Sequence, residues 1–134
     1  MAAKPFGPYP GRVVEVRDGD SAFIDLDLGF GYYVASKLWD GRSWLSCRVQ
    51  RIRPDGSAIG INSPELGTKA SPNQAGIVAR DFARMLLPVG GIVQVVSYGW
   101  DKYGGRYDGS ITLPDGRDFG TVMVEAGHAV EASY

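Results

Sequence analysis

The sequence predicts a mainly β, α+β fold: a small five-stranded barrel with one packed amphipathic helix and a short second helix near the C-terminus. Three observations carry this expectation. Alternating or β-branched apolar segments recur at short spacing. Turn signals such as Asp40-Gly41, Asp55-Gly56 and Asp115-Gly116 separate them, and only the stretch from Ser71 to Pro88 carries a strong helical period. A length of 134 residues fits one domain, expected over 11–134 after an irregular, proline-rich arm at 1–10.

Residues 11–17 read as a strand ending in the turn Asp18-Gly19-Asp20, which sets two carboxylates together. From Ser21 to Leu28 the chain alternates, so Ile24, Leu26 and Leu28 are expected to face the core and Asp25 and Asp27 the solvent. Gly29-Phe30-Gly31 breaks the strand, and Tyr32–Ser36 resumes it. Trp44–Arg53 reads as a strand with Ser57–Ile61 as its return, so that residues 37–58 look like an inserted β-hairpin.

Ser71-Pro72-Asn73-Gln74 matches a capping box, with Ser71 at the N-cap, and Val78, Phe82, Met85 and Leu86 share one helical face. Pro88 and Gly90 end that helix. Ile92–Tyr98 and Gly109–Leu113 read as strands, and Phe119–Ala126 as a short helix stopped by Gly127.

Net charge is −1, but residues 37–53 hold five cations and one anion, together with Trp39 and Trp44. Cations interleaved with aromatics suit single-stranded nucleic acid, and equally a solvated hairpin whose tryptophans pack. A lone cysteine, Cys47, excludes an internal disulfide and fits a buried thiol. The absence of an apolar leader or long apolar run points to a cytoplasmic protein without a membrane partner. One histidine excludes a multi-histidine zinc site, and no Walker A, dinucleotide-binding or G-x-S-x-G pattern is present. Asp18-Gly-Asp20 opens like an EF-hand loop, but Ala22 and Gly29 fall where ligands are required.

What survives is oxygen chemistry. In Gly60-Ile61-Asn62-Ser63-Pro64-Glu65, Pro64 keeps Ser63 extended and groups an amide, a hydroxyl and a carboxylate at a strand end; by themselves these six residues fit an ordinary turn equally well. In Asp101-Lys102-Tyr103-Gly104-Gly105-Arg106, the glycines permit close approach of a ligand and Arg106 offers a bidentate donor, though the stretch fits a solvated turn equally well.

Together with Val16-Arg17-Asp18-Gly19-Asp20-Ser21 and Glu125-Ala126-Gly127-His128-Ala129-Val130, these two stretches form four motifs in an order that resembles the staphylococcal nuclease family. The resemblance implies an OB-type barrel and a Ca²⁺-dependent nuclease acting on DNA or RNA. It implies Asp20, Asn62 and the Ser63 carbonyl as calcium ligands, with Asn62 standing where the family usually has aspartate. Glu65 would direct the attacking water and Arg106 stabilise the transition state. A second arginine is expected five residues before Asn62, where Ser57 stands; Arg48 is the candidate if the 54–56 turn is inserted. Lys102, Tyr103, Arg51 and Arg53 are the expected substrate contacts. The family's C-terminal helix has no counterpart after the last motif, which leads to the expectation of a homo-oligomer or protein partner on that side. A catalytically inactive OB-type module binding nucleic acid or protein is the alternative.

Overall fold

A computed structural model describes residues 5–102 and 104–133. Among them the chain forms eight strands and two helices: β1 (Phe6–Asp18), β2 (Ser21–Gly29), β3 (Tyr32–Val34), β4 (Ser46–Ile52), β5 (Ala58–Asn62), α1 (Gln74–Leu86), β6 (Ile92–Trp100), β7 (Arg106–Thr112), α2 (Phe119–Glu125) and β8 (Val130–Ala132). The strands lie in the order β3-β2-β1-β6-β7-β4-β5-β8, and a further pairing of β2 with β4 brings the sheet back on itself. The result is a mainly β, barrel-like α+β fold, with a ring of pairings through β2, β1, β6, β7 and β4. Among the described residues, no helix is long and apolar enough to cross a membrane.

The alternation of the strands fills this ring. Val13, Val16, Ile24, Leu26, Cys47, Val49, Val95 and Ile111 point inward and are buried, and Ala79 and Ala83 of α1 and Phe119 and Met123 of α2 join the same core. Each fully buried large side chain contributes about 1.5–3 kcal/mol. Burial also pushes the Cys47 thiol up to about 12, so the thiol is held protonated, as its place within an apolar strand leads one to expect.

Several expectations need correction. The arm is irregular only in its sequence: from Phe6 onward it belongs to β1, pairing Tyr9 with Val95 and Pro10 with Gln94. Residues 1–4 lie outside the described residues. The β1–β2 ladder starts at Gly11, so Pro8 and Pro10 sit where one side of the strand is open and a missing N–H costs no ladder bond. Nor are residues 37–58 an insertion. Their second half is integral, because β4 pairs with β2, β5 and β7; only a small loop closed by the Lys37–Ser43 bridge stands outside the sheet. That loop is anchored where Asp25 accepts hydrogen bonds from the Ser36 N–H and hydroxyl, both 2.8 Å.

Helix α1 starts later and faces differently than its periodicity suggests. Asn73 is the N-cap, its carboxamide accepting from the Ala75 N–H, because Pro72 is drawn into a bridge with Gly67. Gly76, Ala79 and Ala83 make the buried stripe, while Val78 and Met85 are exposed and Phe82 and Leu86 pack at its margin. Close approach decides this: a Cβ at Gly76 would collide with the Glu65 carbonyl, so small residues must face inward. Leu28 is likewise exposed rather than in the core.

Candidate functional site

Two strand ends and one corner build a cleft beside the ring. The β1–β2 turn supplies Asp20, the end of β5 supplies Asn62 and leads into Ser63-Pro64-Glu65, and β4 and β7 supply Arg48 and Arg106. All line one cavity of about 720 Å³, with Arg17, Asp18 and Leu66 at its margins. Antiparallel pairing of Ser21 with Arg48, and parallel pairing of Ser46 with Arg106, fix these side chains on the same outer face.

Local hydrogen bonds set the corner. Asp18 Oδ1 accepts from the Asp20 N–H at 3.2 Å and the Ser21 hydroxyl at 2.8 Å, closing the turn. Asp20 Oδ2 accepts from the Ser63 N–H at 3.0 Å, and Val49 N–H donates to the Asp20 carbonyl at 2.9 Å. Gly19 is required by contact as well as by turn chemistry, since a Cβ there would lie 2.7 Å from Ser63 Cβ. The β1–β2 turn and the Ser63 corner are thereby locked together. Glu65 reaches the cleft from the exposed side of the corner.

Electrostatics single out Asp20. Burial, with the Asp18 carboxylate beside it, pushes its pKa up to about 7 against the opposing pull of the Ser63 N–H and Arg48. A carboxylate kept from water and next to a second carboxylate gains from a bound cation. Asn62 and Ser63 line the same cavity, and an amide and a carbonyl oxygen could join the carboxylate as the hard donors Ca²⁺ takes, with water or phosphate required to reach six to eight ligands. Among the described residues no group of three or more His, Cys, Asp or Glu forms a metal cluster, so this donor set depends on amide and carbonyl oxygens. Asn62 Oδ1 already accepts from Arg48 Nη2 at 2.6 Å, so a cation would have to share that oxygen.

Arg106 is braced. Its Nη2 and Nε donate to Asp101 Oδ2 at 2.9 and 3.2 Å, and the Asp101 carboxylate is almost wholly buried. Asp108, opposite Arg48 in the β4–β7 register, sits behind both arginines; burial and the Asp101 charge raise its pKa while Arg48 and Arg106 lower it. Sequence reading placed Asp101 in a motif without a role and missed Asp108. Its signal was positional: two residues past Arg106 on a strand means the same face.

The other expected contacts lie elsewhere. Arg51 and Arg53 donate to the two oxygens of Glu131, both at 3.0 Å, away from the cleft. Ser57 bonds Asp55 in the β4–β5 turn, while Arg48 lines the cleft together with Arg17 and Arg106. Lys102 is exposed in the turn before Arg106, and Tyr103 lies outside the described residues. His128 lies tilted against Phe82, ring centres 4.6 Å apart and ring planes 40° from parallel. Compared with known proteins, the chain matches no family model and no curated sequence.

Proposed function

We propose that the protein is a Ca²⁺-dependent nuclease of the staphylococcal nuclease type, built on an OB-type barrel and hydrolysing phosphodiester bonds of DNA or RNA. The observation that carries this reading is the convergence of Asp20, Asn62, Ser63, Glu65, Arg48 and Arg106, from four separate segments, on one cleft. When bound, the cation supplies a Lewis acid that polarises a phosphoryl oxygen. The protein's own groups do the rest. Asp20, Asn62 and the Ser63 carbonyl hold the cation. Arg48 and Arg106 take the non-bridging oxygens and stabilise the charge that grows on them. Glu65, at the exposed edge, accepts the proton of the attacking water as the new P–O bond forms and the bond to the 5′ oxygen breaks, the departing oxygen taking a proton from solvent. Asp101 holds Arg106 in place from behind.

A second reading, a catalytically inactive OB-type module that binds nucleic acid, draws on the Arg48–Asn62 hydrogen bond, which occupies a proposed ligand atom. One experiment separates the two: degradation of a fluorogenic single-stranded oligonucleotide with Ca²⁺, with EDTA, and with Glu65→Gln. The nuclease reading expects Ca²⁺-dependent cleavage that falls by about 10²–10⁴-fold in Glu65→Gln. Equal inertness of both proteins, with oligonucleotide binding retained, replaces it with the second reading.

A further inference from the structure

Besides the cleft, the open end of the barrel carries a recess of about 360 Å³, with Phe6, Tyr9, Leu45, Trp100 and Tyr107 among its walls. Phe6 and Trp100 stand at its rim 60% and 74% exposed. A register shift between Ser97 and Trp100 in the β6–β7 ladder brings Trp100 opposite Tyr107, which turns it toward the recess. Large aromatics exposed around an apolar recess mark a surface that something flat and apolar covers.

The recess and the cleft stand back to back across the ends of β4 and β7. Leu45 and Tyr107 turn into the recess, while the paired Ser46 and Arg106, their chain neighbours, turn the other way, with Arg106 lining the cleft. Gly104 and Gly105, beside this edge, would meet nothing within 4 Å of an added Cβ, so the backbone leaves open space there.

We propose that this recess is a nucleobase subsite for a single-stranded substrate, with Trp100 as its stacking face. The inference rests on the nuclease reading for the phosphate held at Arg106. A strand anchored there passes over Gly104 and Gly105 and presents the next bases to the recess. Its volume lies in the range of small-ligand sites, its walls are apolar where a base needs a π-face, and Ser97 and open water meet the polar edges. A duplex keeps its bases stacked inside and cannot deliver one, so the subsite selects for single strands.

The test compares wild type, Trp100→Ala, Trp100→Phe and Trp39→Ala on two substrates with Ca²⁺: a single-stranded oligonucleotide and bis(p-nitrophenyl) phosphate, a diester without bases. Trp100→Ala is expected to lower the preference for the oligonucleotide over the small diester about tenfold, through KM. Trp100→Phe should restore most of it, and Trp39→Ala, on the exposed 37–43 loop, should retain it. An unchanged preference in Trp100→Ala, with both substrates still cleaved, overturns the subsite and leaves the nuclease reading standing. So does a wild-type dimer in sedimentation that Trp100→Ala converts to monomer, because a second copy then covers the recess. If wild type cleaves neither substrate, the nuclease reading fails. The subsite then stands only if the oligonucleotide quenches tryptophan fluorescence in wild type and not in Trp100→Ala; equal quenching in both removes it as well.

Discussion

Arg48 and Arg51 stand on one strand, β4, with Arg53 just past its end, and they do opposite things. Arg48 faces the cleft and donates to the Asn62 amide, with the Asp20 and Asp108 carboxylates close enough to feel its charge. Arg51 and Arg53 face the other way and share the carboxylate of Glu131, which compensates their charge. A run of +4 over residues 37–53 looks in one dimension like a single basic patch. A strand splits it, because odd and even positions leave the sheet on opposite faces. What an arginine offers a phosphate thus depends on its face and on the charge of its partner, and local charge density reports neither.

The largest expected effect breaks or keeps that comparison directly. Arg48→Ala should lower Ca²⁺-dependent cleavage of a single-stranded oligonucleotide by about 10²–10³-fold, the usual loss when a preorganised donor to transition-state charge is removed. The double change Arg51→Ala with Arg53→Ala should stay within about threefold of wild type at moderate salt, since exposed charges at a distance are screened. A comparable loss from both would mean that the substrate path extends over β5 and β8 and that the two faces act as one.

A middle-sized effect tests the partner rather than the face. Asn62→Asp puts a carboxylate in place of the amide that Arg48 donates to, a direct contact of the kind Arg51 and Arg53 make with Glu131. Calorimetry should show Ca²⁺ binding tighter by about tenfold, because an anionic ligand replaces a neutral one. The KM for oligonucleotide should rise, because Arg48 then carries less net charge toward phosphate. Unchanged Ca²⁺ affinity would mean that the amide does not face the cation, and tighter Ca²⁺ with an unchanged KM would mean that the partner's charge does not govern Arg48.

These residues also show how far the sequence could be read. The barrel-like β fold and the two helices follow from signals a few residues long, such as alternation and turn pairs, whereas the grouping of Asp20, Ser63, Glu65 and Arg106 is an expectation that only the resemblance in motif order supplies. What escaped depends on partners far apart in the chain. Pro10 lies in a strand because β6 accepts it on one side, and Ala79 and Ala83 face inward because Gly76 must meet the Glu65 carbonyl. Arg48, the candidate for the second arginine, lines the cleft because β4 is a central strand of the ring and not part of an insertion. Strand β8 is three residues long, too short for any period to register, and yet Glu131 on it decides the fate of two arginines.

Glu131 therefore gives the smallest and most discriminating test. The Arg53 hydrogen bond, with the charges of Arg53 and Arg51, holds its carboxyl below the ordinary value of 4.5. With a folded pKa below the unfolded one, the pair's contribution to stability is present above pH 4.5 and is lost as pH falls through the lower folded value. The pair is exposed, so the contribution is small, and its pH profile identifies it better than its size. Denaturant melts of wild type and Glu131→Gln should differ at pH 7 and converge as the pH falls below 4.5. If Glu131 serves only to bind β8 and hold two arginines away from the cleft, cleavage at neutral pH should stay within about twofold of wild type, since a surface change far from reacting groups rarely alters a rate. A gain in oligonucleotide affinity, growing at low salt, would instead show that Arg51 and Arg53, once released, join the substrate surface, and that a single carboxylate is what separates the two faces of β4.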